Sequence, residues 1–173
     1  MPIPATNLYP DYNTIRLSHV CLNVKDLAAS KTFYTEILGL QVTDETDEHI
    51  YLRAMEERGH HCIILQKSEQ PGTVEVMGFK TFDEDDLDKA ETYFQSKGRP
   101  NEWIERAYQG KTLLTSDNMG IPLEFYHKMD RLPSIHQNTP CIAVQSLYGL
   151  TTLTAFRTMW MPRLRSTAIL GSA

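Results

Sequence analysis

The sequence predicts an α+β fold built from two copies of one βαβββ module. Two observations carry this. A stretch of strict alternation runs directly into an amphipathic helix at Leu17–Leu40, LSHVCLNVKDLAASKTFYTEILGL, and a related helix with its own flanking strands recurs later in the chain. DLAASKTFY at Asp26–Tyr34 and DLDKAETYF at Asp86–Phe94 share an Asp-Leu start, a central small residue and a terminal aromatic pair.

In the first module, residues 15–24 alternate. Val20, Leu22 and Val24 fall on one face, and Leu17, His19, Cys21 and Asn23 on the other. Asp26 can cap the helix that follows. Leu27, Tyr34 and Leu38, with Phe33 and Ile37 beside them, keep helical spacing, and Gly39 stands where a left-handed cap ends it. The helix therefore packs on the Val20 face and leaves His19 facing away. Short strands follow over 40–43, 49–55 and 60–66, and Gln70-Pro71-Gly72 marks a turn between modules.

The second module has a strand over 74–81 and a helix over 83–98 with acids in its first turn and Gly98 at its end. Strands over 102–108, 111–116 and 122–126 complete it. The chain divides into an N-terminal arm (1–14), a paired-module domain (15–130, modules about 15–68 and 74–129) and an atypical tail (131–173), read as disordered or frameshifted.

Composition narrows the function. A chain that is 41% hydrophobic and 23% charged is ordinary for a globular domain. A net charge of −5 disfavours nucleic acid as a partner, because phosphate binding needs an excess of clustered cations. Three scattered cysteines, Cys21, Cys62 and Cys141, suggest free thiols in a reducing compartment. No secretion signal or bilayer-spanning run is visible, so the expectation is a cytoplasmic protein with no membrane partner.

Two modules opening with xxHVxLxVxDLxxSxxFYxxxLGL resemble the vicinal oxygen chelate superfamily, which includes glyoxalase I, fosfomycin-resistance proteins and type I extradiol dioxygenases. Within residues 15–129, IYLRAMEERGHHCIILQ at Ile50–Gln66 is similar to the N-terminal domain of extradiol dioxygenases, especially the group cleaving 3,4-dihydroxyphenylacetate. The resemblance implies Fe(II) held by two His and one Glu, with open positions for the catecholate oxygens and O2. It also implies a small aromatic substrate, and the exposed face that would meet a C-terminal domain suggests association into a homo-oligomer.

Carried onto this sequence, the ligand-equivalent positions are His19 in the first strand, Val76 or a neighbour in the strand that opens the second module, and Glu124 in the last strand. Val76 is apolar, and the adjacent Glu75 is expected to face the other way. A two-ligand site should hold iron weakly. In the family the N-terminal domain is commonly an iron-free copy and the C-terminal domain carries the metal. The resemblance therefore names no catalytic residue here and leaves the substrate-binding residues unknown.

Plainer readings stand beside these. A lone strand histidine is more often structural, and the plainer reading of Glu124 is a partner for a basic side chain in the cleft. His60, His61 and Cys62 look like a metal cluster, but along a strand only His60 and Cys62 could converge. Phe33, Tyr34, Tyr93 and Phe94 read as helix-to-sheet core. Two rival functions remain: a glyoxalase-like metalloenzyme completed by dimerisation, and a metal-free module that binds a small ligand in its cleft.

None of the 22 acidic residues lies after Asp130, and the tail's charges are Arg131, Arg157, Arg163 and Arg165. A globular surface mixes both signs. Read one base over, Met159-Trp160-Met161-Pro162 becomes GTG GAT GCC, Val-Asp-Ala. Codons for Tyr148–Thr167 can then encode a sequence like LRIDHFN followed by DVDASVAFY, which mirrors Leu17–Tyr34. The expectation is that residues after about Gln137 are an out-of-frame translation of the start of a catalytic domain.

Overall fold

The computed structural model describes residues 9–135. Most of the notional tail (131–173) and of the arm (1–14) lies outside them. The first module runs β1 (Thr14–Val24), α1 (Leu27–Thr32), a π-helical turn (Phe33–Ile37), β2 (Gln41–Glu45), β3 (His49–Arg53) and β4 (Ile63–Lys67). The second runs β5 (Thr73–Thr81), α2 (Asp85–Ser96), β6 (Glu102–Arg106), β7 (Gly110–Ser116) and β8 (Pro122–Tyr126). This is the α+β fold of paired βαβββ modules.

The eight strands form one sheet in the order β2-β3-β4-β1-β5-β8-β7-β6. Each module repeats the same internal plan: its first strand pairs in parallel with its last, β1 with β4 and β5 with β8. The two first strands meet antiparallel at the centre, where Val20 lies opposite Met77 and His19 opposite Gly78. The modules are thus joined by a backbone hydrogen-bonded ladder, interrupted by shifts in register. The sheet also curls, because the Tyr108 hydroxyl after β6 donates to the Asp44 carboxylate on β2. Those strands stand at opposite ends of the order, so their contact closes the sheet around a cleft.

Each helix covers the outer face of its own module. Val20, Leu22, Tyr34, Leu40, Ile50, Leu52 and Leu65 form the first core, joined by Leu27 and Leu38. Leu87, Ala90, Phe94, Leu113 and Phe125 form the second. Asp26 caps α1 through a 3.0 Å bond from Ala29 N, and Gly39 ends the first helical segment at φ 71°.

The first helical segment departs from its predicted pattern. The π-helical turn widens the spacing over Phe33–Ile37, so Tyr34 is buried while Phe33 and Ile37 are 44% and 58% exposed. Phe33 is therefore not core. β4 also begins at Ile63, not at His60. Residues 60–62 precede the strand, so strand alternation does not govern their directions.

Past β8 the chain returns to the first module. Arg131 forms a bridge with Gly59, Leu132 N donates to Arg58 O at 3.0 Å, and Arg53 donates to Pro133 O at 2.9 Å. Described residues past Asp130 thus pack on the domain, among them Ile135, whose side chain is buried.

Candidate functional site

The two predicted site residues meet in the cleft. β1 places His19 on the face away from α1, and β8 brings Glu124 to the same row. Gly78 on β5 lies between them in register, paired with His19 on one side and with Glu124 on the other. His19 Nε2 is 2.6 Å from Glu124 Oε1, and both residues are 1% exposed. Gly78 is what admits the imidazole: a Cβ there would lie 2.0 Å from His19 Cε1.

Glu124 has three partners. Besides His19, Gln109 Nε2 donates to Oε1 at 2.7 Å and Arg106 Nε donates to Oε2 at 3.1 Å. Burial works to raise the Glu124 carboxyl, but His19, Gln109 and Arg106 together hold it below its ordinary value. The plainer reading of Glu124, a partner for a basic side chain in the cleft, describes this geometry. Gln109 carries no sequence signal, since it belongs to the turn between β6 and β7, where no periodicity operates; Arg106 ends β6, and a charged residue at a strand end gives no sign of which carboxylate it meets.

Val76, the carried-over middle position, pairs with Cys21, is buried and lines the cleft without offering a donor atom. Glu75 does not face away as predicted. The ladder shifts register between Cys21 and Leu22, and this bulge leaves Glu75 as the extra residue. It reaches the cleft rim and accepts a 3.0 Å bond from Asn23.

His60 and Cys62 do not converge. Cys62 packs in the first core, where burial pushes its thiol up to about 12. His60 and His61 instead sit side by side, Nδ1 to Nδ1 at 3.2 Å. His60 stacks on Tyr108 with ring centroids 3.6 Å apart. His61 packs edge-on to His19 at 4.9 Å. Burial, reinforced by His19 and His60, pushes the His61 pKa down to about 2, so its ring is neutral.

These residues do not fit a divalent metal. His19 and Glu124 are bonded directly to each other, the Glu124 oxygens are taken by two further donors, and Gly78 and Val76 supply nothing. Among the described residues no group of three or more His, Cys, Asp and Glu could hold an ion.

Residues 16–125 match the Glyoxalase/Bleomycin resistance protein/Dioxygenase superfamily. The chain belongs to this superfamily. Homoprotocatechuate 2,3-dioxygenase from Brevibacterium fuscum superposes on it with a TM-score of 0.76 at 31% identity, covering 82% of this chain and 40% of that one. A substrate complex of that enzyme, holding 3,4-dihydroxyphenylacetate, matches equally well over 45% of its chain. A manganese-dependent 2,3-dihydroxybiphenyl 1,2-dioxygenase from Geobacillus genomosp. 3 is 26% identical over 67% of this chain and 38% of its own length. A metapyrocatechase from Pseudomonas sp. (strain CF600) is 36% identical over 43% of this chain and 24% of its own. The superfamily member described here thus spans less than half the length of these relatives, and its structural neighbours are extradiol dioxygenases.

Proposed function

We propose that this chain is the N-terminal scaffold domain of an extradiol dioxygenase that cleaves a catechol, 3,4-dihydroxyphenylacetate being the favoured substrate, and that alone it neither holds Fe(II) nor cleaves the ring. The observation that supports this best is the closed His19–Glu124 pair over Gly78. At positions equivalent to metal ligands, this domain has a saturated carboxylate and a histidine committed to it. The likeness to homoprotocatechuate 2,3-dioxygenase supports the substrate, and the alignment to only 40% of that chain supports the fragment.

In this reading the domain's own work is structural. The buried pair ties β1 to β8, and Arg106 and Gln109 tie the end of β6 and the turn after it to the same carboxylate. The face of the paired sheet is thereby held rigid for a second pair of modules. Iron, O2 activation and ring opening belong to that second pair, and assembly into a homo-oligomer in the cytoplasm accompanies it. Residues after about Gln137 are read as that domain's coding sequence translated one base out of frame.

Restoring the shifted frame after Gln137 and measuring O2 uptake with 3,4-dihydroxyphenylacetate tests this. The frame-restored protein should consume O2 stoichiometrically with the catechol, and the present chain should not. Cleavage by the present chain would favour the rival metalloenzyme completed by dimerisation.

A further inference from the structure

A second cavity, of about 780 Å³, opens where β1 begins and where β5 and β8 end. Its size is within the range of small-molecule pockets. Ile15, Lys80, Phe82, Arg106, Lys128 and Arg131 belong to its lining. It shares only Arg106 and Gln109 with the cleft that Val76 and Glu124 line.

Charge is unbalanced here. The chain has more acids than bases, with a net charge of −5, yet Lys80, Arg106, Lys128 and Arg131 line this cavity against one carboxylate, Asp130. Arg106 is already paired with Glu124. Among the described residues Lys80, Lys128 and Arg131 take part in no ion pair. Residues 1–8 and 136–173 contain no Asp or Glu, so the rest of the chain supplies no side-chain carboxylate either. Three free cations against one carboxylate leave two positive charges.

These cations also crowd one another. In the β1–β5 ladder Arg16 lies directly opposite Lys80, and like charges so placed repel. Arg16 meets Glu57 at 2.8 Å, whereas Lys80 has no such partner. Burial, then Arg131 and Arg16, hold the Lys80 ammonium below its ordinary value, and Glu57 alone opposes them. Asp130 acts instead on His60 and Tyr108. Nothing in the fold offsets the cost of gathering these charges; a bound anion would. Beside them Ile15 and Phe82 present apolar surface, 54% and 65% exposed.

We propose that this cavity binds a phosphate dianion, free or as a monoester, held by Lys80, Lys128 and Arg131. A monocarboxylate would balance only one of the two charges. A phosphate group carries about −1.5 to −2 near pH 7 and offers three acceptor oxygens to donors on separate elements. The body of a monoester would lie on Ile15 and Phe82. The site lies apart from the His19–Glu124 pair and does not rest on the dioxygenase reading, so either can fail without the other.

The test is an amide NMR titration of the full chain, at low ionic strength in a phosphate-free buffer, with inorganic phosphate, butyl phosphate and acetate. Both phosphates should shift Lys80, Phe82, Lys128 and Arg131 saturably, and acetate should bind about tenfold or more weakly than either. Tighter binding of butyl phosphate identifies a monoester as the ligand; equal binding identifies free phosphate. Lys80→Gln should weaken both phosphates about tenfold, and Lys80→Arg, which keeps the charge, should retain them. Lys25→Gln makes the same charge change just past the far end of β1 and should leave binding unaltered. No saturable shift, shifts confined to other surfaces, acetate binding as tightly as phosphate, or equal weakening by Lys25→Gln and Lys80→Gln would each overturn the proposal.

Discussion

His19 Nε2 and Glu124 Oε1 lie 2.6 Å apart across Gly78, buried, on strands from different modules. The pair couples the modules through side chains where the β1–β5 ladder couples them through backbone. Removing one member leaves the other desolvated, whereas replacing both with apolar groups removes that penalty. Glu124→Leu should therefore lower stability by about 3 kcal/mol. His19→Leu combined with Glu124→Leu should lose clearly less than the sum of the single changes. Urea unfolding of the four proteins measures this as a coupling energy.

Gly78 is required by space rather than by backbone conformation. Its Cβ would meet the His19 ring at 2.0 Å, while its φ is not among the positive ones. Gly78→Ala should lose about 1–3 kcal/mol through overpacking. The same change made with His19→Ala should lose much less. An equal loss in both backgrounds would mean that something other than the imidazole sets the limit.

Stability should decline in acid in two stages. His61 has a folded pKa of about 2 against an ordinary 6.5, so below about pH 6.5 the unfolded chain binds a proton that the folded chain refuses. Stability is then lost as pH falls, at a slope of up to about 1.4 kcal/mol per pH unit from this group. His60, also held low chiefly by burial, acts in the same direction. His61 is faced by His19, His60, Tyr51 and Tyr108, so no carboxylate offsets its burial directly. Glu124 adds a second stage. Its folded pKa lies below the ordinary 4.5, so its contribution is full above that value and is lost as pH falls through the depressed one. Thermal melts from pH 7 to 3 should show both stages, and His61→Phe should flatten the first.

The coding DNA should read through after Gln137. Shifted by one base, it should run on without a stop and preserve a His, Asp and Phe-Tyr pattern at the spacing of His19, Asp26 and Phe33-Tyr34. A stop codon in that frame, or loss of the pattern, contradicts the out-of-frame reading of the tail.

The modular plan was legible because periodicity reports it directly: alternation in β1, the paired Asp-Leu helices, and Gly39 and Gly98 as helix stops. His19 could be assigned to the cleft because Val20 and Leu22 had to meet the helix. The π-helical turn was not legible, since Phe33 and Ile37 fit an α-helical stripe as well as Tyr34 does. Strand alternation also failed at the bulge beside Val76 and ahead of β4, which misplaced Glu75 and His60. Gln109 and Tyr108 were missed because turn residues carry no period, and Arg106 because a charged residue at the end of β6 gives no sign of which carboxylate it meets. Tyr108 does have a structural mark, a φ of 68° in a residue other than glycine, held by Asp44 and His60, but the sequence does not announce it.

The central claim is that the His19–Glu124 position is a closed structural pair rather than a metal site. Anaerobic loading of the full chain with Fe(II) and, separately, Mn(II), followed by desalting and elemental analysis, tests it most directly. The account predicts far less than one metal per chain, unchanged by Glu124→Gln. One metal per chain, lost on Glu124→Gln in a protein that remains folded, would contradict it.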